Sequence, residues 1–374
     1  MSEFRHDLLS RRWVIIGGER GGRPNEFVEA ATRATDISCP FCAGHESETP
    51  PAIASYSSNG KGKWLVRVVP NKYPAVTPLP LGEGGCRRQP GEGALFSVAS
   101  AHPPVSGLPS PASPRSAPSP GGRGDPSDGT RSVPTTLPGF GSHEVIIESP
   151  RHIASFSELT DAEAAAVFAA YRDRLLKLKA EGAYRYVQIF KNVGPAAGAS
   201  LEHVHSQLVA LSSVPEVIEQ ELVASGEYFH EHKQSLLANM IEREIASGER
   251  IVAQTKNFVA FCPYASRFGY EVWLAPRQHR PRFEDTQTGE LSEASRLARD
   301  VVGRIERAGG QSAYNYFLHT QPFDMPAYDH YHWHIEIIPR LTKVAGFEWG
   351  TGCFINPYPP ETATEHLRSL SERL

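Results

Sequence analysis

No stretch of the chain approaches the roughly 20 consecutive apolar residues that span a bilayer, so the sequence gives no ground for a membrane protein. Residues 1–27 are charged from the start and lack the apolar core of a secretory signal. Cysteine is scarce: five residues, of which only Cys39 and Cys42 are neighbours, cannot build a disulfide framework. A net charge of −4, with no basic run interleaved with aromatics, gives no reason to expect nucleic acid as a partner. These absences leave a reduced, soluble protein, expected in the cytoplasm. With 374 residues, 40% of them hydrophobic, it has room for two domains or one duplicated one.

Apolar order also fails locally. From Gly82 to Leu137 the chain turns to proline, glycine and serine, with too few apolar residues to offset the entropy of ordering. We read 82–137 as a disordered insertion in a surface loop.

Outside the insertion the chain repeats itself. Glu144-Val-Ile-Ile-Glu-Ser-Pro-Arg-His152 parallels Glu271-Val-Trp-Leu-Ala-Pro-Arg-Gln-His279, each an apolar strand ending in histidine. A helical pattern follows each. One opens with the capping box Thr160…Glu163 and carries Val167, Phe168, Tyr171, Leu175 and Leu178 on one face. The other covers 289–308, with Leu291, Ala294, Leu297, Val301 and Ile305 spaced alike. Aromatic strands follow, at 184–191 and 313–319, and then histidine clusters, His203/His205 and His330/His332/His334. The gaps from His152 to His203 and from His279 to His332 are 51 and 53 positions. The expected fold is α+β: two tandem halves, 1–212 and 213–374, each an antiparallel sheet with packed helices, meeting across a pseudo-twofold axis.

The richest chemistry lies at Gly198-Ala-Ser-Leu-Glu-His203-Val-His205-Ser-Gln207. On a strand over 203–210, His203, His205 and Gln207 share one face. The preceding loop, with Asn192, Gly198, Ala199 and Ser200, offers backbone N–H groups and a hydroxyl to a phosphate. This combination points to a histidine acting on phosphate esters as nucleophile or base. Cys39-Pro-Phe-Cys42 has the spacing of a zinc chelate. His45 is its nearest candidate further ligand, with His152 and His203 more distant ones; a redox pair is the alternative. Arg20 and Arg23 in a glycine-rich loop suit a diphosphate, and Asn71 at a strand end suits a base or ribose. His332, His334 and Glu336, with His319, suggest a second metal site.

Taken together, these motifs resemble the galactose-1-phosphate uridylyltransferase family of the histidine-triad superfamily. The family order C-P-x-C, S-P-x-H, N-x-G…G-x-S and H-P-H-x-Q reads here as Cys39/Cys42, Ser149…His152, Asn192…Ser200 and His203…Gln207, with Val204 replacing the proline. The resemblance implies a zinc held by Cys39, Cys42, His152 and His203, and His205 as the nucleophile that becomes a covalent nucleotidyl-histidine. It implies that Gln207 and the Gly198-Ala199-Ser200 loop bind phosphoryl oxygens, Arg20 and Arg23 the phosphates, and Asn71 the base. A second metal, iron or zinc, would sit on Glu221, His319, His334 and Glu336, the last in place of a histidine. Phe347-Glu348 matches the hexose-binding segment, although the tail beyond it looks more like plant-type ADP-glucose phosphorylases. The first expectation is thus a UDP-glucose–hexose-1-phosphate uridylyltransferase, acting on a nucleotide sugar and a sugar 1-phosphate and forming a homodimer. The alternative is an ADP-glucose phosphorylase using the same histidine with inorganic phosphate. A zinc-stabilised module that binds nucleotides without turnover, and a hydrolase, stand behind these.

Overall fold

The computed structural model describes residues 2–18, 38–57, 63–78, 139–310 and 313–371. Arg20, Arg23 and the 82–137 stretch lie outside the described residues.

Among the described residues, thirteen strands and six α-helices follow in order: β1 (Glu3–His6), β2 (Trp13–Ile16), β3 (Ala54–Tyr56), β4 (Val66–Pro70), β5 (Gly141–Ile147), α1 (Asp161–Glu181), β6 (Tyr186–Val193), β7 (His205–Leu211), α2 (Glu216–His232), α3 (Leu236–Ser247), β8 (Ile251–Gln254), β9 (Phe258–Phe261), β10 (Val272–Pro276), α4 (Thr288–Ala308), β11 (Tyr314–His319), β12 (His334–Pro339), α5 (Gly346–Thr351), β13 (Phe354–Asn356) and α6 (Pro360–Ser369). Ten of the strands form one sheet, in the order β3-β4-β5-β7-β6-β11-β12-β10-β9-β8. The order is palindromic: each strand of the first run has its counterpart at the mirrored place in the second. Every pairing in this sheet is antiparallel, and β6 joins β11 at the centre. The fold is α+β, with two tandem histidine-triad-like halves. A separate three-stranded sheet, β1-β2-β13, holds the C-terminal segment.

Strand parity sets the two faces. In β7, Leu208 and Ala210 enter the main core beside α1 and α4, together with Val204 just before the strand. In β12, Ile335 and Ile337 do the same. Their odd and even partners, His205 and Gln207, His334 and Glu336, therefore emerge on the opposite face. All five apolar residues expected on α1, and all five on α4, are buried against the sheet. Truncating one of the larger ones, Leu175→Ala for instance, costs about 2–5 kcal/mol by leaving a cavity.

The helix cap also serves the far face. Glu163 accepts the Thr160 N–H at 2.8 Å and the Ser149 hydroxyl at 2.8 Å, and pairs with Arg151 at 2.6 Å. The start of α1 thereby ties down Ser149-Pro-Arg-His152, the loop that presents His152.

One detail of the repeat shifts. Gln207 lies opposite Val145, and Glu336 opposite Trp273. In sheet register the counterpart of Glu271 is therefore His143, not Glu144. The connection from the strand to His279 is one residue shorter than that to His152, which hides the offset from a comparison anchored on the histidines.

Candidate functional site

β7 begins at His205 rather than His203. Before it, the Val204 N–H donates to the Ile153 carbonyl at 2.7 Å, outside the strand ladder, and the His203 side chain meets the Cys39-Pro-Phe-Cys42 loop. Cys39 Sγ lies 3.5 Å from Nδ1 of His203, and Cys42 Sγ lies 3.6 Å from it and 3.4 Å from Nδ1 of His152. These four ligand atoms all fall within 4.8 Å of one another. Bonds of about 2.3 Å to sulfur and about 2.0–2.1 Å to nitrogen, at tetrahedral angles, put S and N about 3.5–3.6 Å apart. The donor set and its spacing therefore fit a tetrahedral ion. Nε2 of His203 donates to the Ser149 carbonyl at 2.9 Å, which leaves Nδ1 with its lone pair toward the thiols. Burial lowers the His203 pKa to about 4, so the ring is neutral as a ligand must be. Burial and then the neighbouring Cys39 push the Cys42 thiol up to about 11; a bound cation reverses that preference. His45 is not part of the cluster: its Nδ1 pairs with Glu48 at 2.7 Å, drawn away by the helical turn at 46–48.

His205 follows immediately and is buried, edge-on to Phe41 at 5.4 Å between ring centroids. Its Nδ1 donates to the His203 carbonyl at 2.7 Å. That fixes the tautomer and leaves the Nε2 lone pair without a hydrogen-bond partner among the described residues. Burial lowers its pKa, with Lys191 adding to the effect. Behind it, on the helix side, Lys191 donates to the His205 carbonyl at 2.8 Å and to Glu148 at 2.6 Å, both side chains fully buried. A neutral, oriented imidazole with a free Nε2 is what attack on phosphorus requires.

Gln207 and Asn71 come to one point, and the residue that joins them is His143, which the motif reading missed. His143 Nε2 lies 2.9 Å from Gln207 Oε1 and 3.0 Å from Asn71 Nδ2. The Asn71 oxygen is taken by the Tyr73 N–H at 2.8 Å, an Asx turn, so this carboxamide is engaged rather than projecting free. No motif signals His143; only the strand register puts it diagonally across from Gln207.

The Asn192–Ser200 loop is more closed than its sequence suggests. Gly194 and Gly198 adopt φ of +80° and +82°, and a Cβ on Gly194 would meet Ala313 at 2.8 Å. The amides of Gly198 and Ala199 close this turn on Pro195 and Gly194, at 2.9 and 3.2 Å. Asn192 accepts from Asn315 at 2.8 Å. Ser200 remains exposed. Phe347 and Glu348 sit on α5, beside the small sheet. Glu348 caps that helix through the Ala345 N–H at 3.0 Å, and no hydrogen bond, ion pair or ring contact joins either residue to the His205 group.

The second cluster is fully buried. Glu221 of α2, His319, His334 and Glu336 bring their ligand atoms within 4.8 Å. His319 Nδ1 lies 2.8 Å from Glu221, and Tyr331 donates to the other Glu221 oxygen at 2.9 Å. Nε2 of His334 has no hydrogen bond among the described residues, standing 3.5 Å from Glu336. That buried orphan atom, among two carboxylates and a second imidazole, suits a divalent cation. Glu336 is also held by Arg267, which pairs with Glu271 at 2.7 Å as well; after the cost of burial, that guanidinium is the main influence keeping the Glu336 carboxyl well below the usual range. His332 is excluded from this cluster, its Nε2 donating to the Pro276 carbonyl at 2.9 Å, and His330 stacks on Tyr328.

A cleft of about 410 Å³ shares Asn71 and His143 with the site but opens toward Arg174 and Lys177 of α1. Neither His205 nor Gln207 lines it, so the chemistry above is not its chemistry.

A family described as a domain of unknown function (DUF4921) matches residues 140–373. The chain belongs to that family. It is 29% identical to an ADP-glucose phosphorylase of Arabidopsis thaliana over 99% of this chain and 93% of that protein. A galactose-1-phosphate uridylyltransferase of Thermotoga maritima is 28% identical over 60% of this chain and 73% of its own length. The crystal structure of the Arabidopsis ADP-glucose phosphorylase with bound ADP-glucose superposes with a TM-score of 0.76 and 27% identity, covering 100% of both chains. The relatives are thus uridylyltransferases of the galactose-1-phosphate type together with an ADP-glucose phosphorylase. Among the described residues, no helix is long and apolar enough to cross a membrane.

Proposed function

We propose that the chain is a nucleotidyltransferase that passes a nucleotidyl group through Nε2 of His205, with ADP-glucose as donor and inorganic phosphate as acceptor. The observation that carries it is the state of His205: neutral, held through Nδ1 by a backbone carbonyl, with Nε2 free of hydrogen bonds among the described residues and Gln207 on the same strand face. Likeness to the ADP-glucose phosphorylase along nearly the whole chain puts this substrate ahead of the uridylyl transfer expected first from the motifs. The partial match to uridylyltransferases keeps UDP-glucose with a hexose 1-phosphate as the second reading.

In the first half-reaction Nε2 forms a bond to the α-phosphorus as the bond to the bridging oxygen breaks, and the sugar 1-phosphate leaves with that oxygen. The ring becomes cationic, and the His203 carbonyl accepting from Nδ1 stabilises the charge. Gln207 donates to a non-bridging oxygen as negative charge builds there. A phosphate oxygen then attacks the same phosphorus, the N–P bond breaks, and His205 returns neutral. Cys39, Cys42, His152 and His203 would hold zinc as a structural ion that pins the strand entry. Glu221, His319, His334 and Glu336 would hold iron or zinc away from the reacting atoms.

The test is incubation with ADP-glucose or UDP-glucose alone, followed by intact-protein mass spectrometry. An acid-labile adenylyl adduct on His205 supports the first reading and a uridylyl adduct the second. No adduct with either would overturn the proposal and favour a binding module.

A further inference from the structure

Resting on the covalent reading above, we propose that His143 is a positioning residue: it fixes the orientation of the Gln207 carboxamide so that the amide N–H groups face the phosphorus attacked by His205.

The Ala75 backbone N–H lies 3.0 Å from Nδ1 of His143, and a backbone amide can only donate. Nδ1 is therefore unprotonated, and the ring proton must sit on Nε2. Two groups face that nitrogen. Asn71 offers its amide nitrogen, itself a donor, because its oxygen is held by the Tyr73 N–H. Gln207 offers Oε1 at 2.9 Å, which accepts. Because Asn71 also presents a donor, rotating the Gln207 amide by half a turn would leave the Nε2 proton without an acceptor between these two groups, so one of its two otherwise similar orientations is selected. With Oε1 taken, the Gln207 NH₂ is left to donate elsewhere, on the strand face that carries His205.

The other half makes the same provision with different chemistry. By sheet register Glu271 stands where His143 stands, and it reaches the counterpart of Gln207 through Arg267, which binds both Glu271 and Glu336. In each half this position holds the side chain at 207 or 336.

A bland role is open to His143 as well, tying the 71–77 turn through Nδ1. The two nitrogens separate the roles. His143→Gln places an amide N–H near the former Nε2, whereas His143→Asn reaches only the Nδ1 position and can still accept from Ala75. We expect His143→Leu to slow adduct formation about 10- to 100-fold with KM little changed. His143→Gln should recover most of that loss and His143→Asn little of it. On a Gln207→Ala background, His143→Leu should cost no more than about twofold further, because the group it orients is gone. An equal loss on both backgrounds, or equal rescue by Asn and Gln, would overturn the inference. If the wild-type protein forms no adduct at all, the covalent reading fails first and takes this one with it, a result separable from a failed cycle. Should His143→Leu not fold, the Gln and Asn variants alone decide.

Discussion

His205 and His334 begin equivalent strands, and their backbone settings are near copies. Each donates from Nδ1 to the carbonyl two residues earlier, at 2.7 and 3.3 Å. Each is preceded by a histidine whose Nε2 reaches a backbone carbonyl at 2.9 Å, Ser149 just after β5 in one half and Pro276 at the end of β10 in the other. Even the ring pairs match: His152 and His203 stand 5.5 Å apart, His279 and His332 5.6 Å apart, both edge-on. What differs is what faces Nε2. Nε2 of His205 meets no hydrogen-bond partner among the described residues, and Gln207 shares its strand face. His334 sees two carboxylates and another imidazole in a closed pocket. On the proposed reading, a single strand end serves as a nucleophile when its Nε2 lone pair is left open, and would serve as a metal ligand when carboxylates converge on it. The same contrast separates the preceding pair. His203 gains two thiols, whereas Nδ1 of His332 is buried without a partner.

The widest gap between the halves should appear on removing each imidazole. His205→Ala is expected to abolish adduct formation, a loss of about 10³-fold or more in rate, while His334→Ala leaves an adduct measurable by mass. Equal effects would erase the distinction. Next comes the ion. Cys42→Ser should remove one bound metal per chain by elemental analysis and lower stability, by about 4 kcal/mol where the ion stood at about 1,000 times its dissociation constant. His279→Ala, at the matching place without thiols, should leave the metal content unchanged. Gln207→Ala should lower kcat about a hundredfold to a thousandfold, as loss of an oxyanion donor does, with Glu336→Gln far milder in rate but weaker in metal retention.

The smallest effect concerns the orphan imidazole. Burial, with His279 and His334 nearby, lowers the His332 pKa to about 3, against about 6.5 unfolded. The unfolded chain therefore takes up this proton first. The contribution is present above about pH 6.5 and is lost as the pH falls from there toward 3, amounting to about 1 kcal/mol between pH 7 and 5.5. Urea unfolding of wild type and His332→Gln at those two pH values measures it; the variant should show the smaller decline.

Much of this contrast was legible in the chain because it is carried by side-chain parity and local spacing. The Thr160…Glu163 box gave the start of α1, and the apolar stripes of α1 and α4 gave the buried faces. The alternation of His203, His205 and Gln207 marked the chemistry, although the strand starts later, because His203 is pulled to the thiols. The cluster of Glu221, His319, His334 and Glu336 came from resemblance, and the structure brings those four together. His143, Lys191 and Arg267 were not legible. Each acts through a partner 14 to 69 positions away, set by strand register and packing, which leave no local pattern. The closed amides at Gly198 and Ala199 were hidden likewise, since composition shows a glycine-rich loop but not which N–H groups it has already used.

The most direct measurement is the mass of the intact protein after brief exposure to ADP-glucose without phosphate, with His205→Ala and His334→Ala alongside. An acid-labile adenylyl adduct is expected on wild type and on His334→Ala, discharged as ADP when phosphate is added, and none on His205→Ala. An adduct that survives His205→Ala, or none on the wild-type chain with either nucleotide sugar, would contradict transfer through His205.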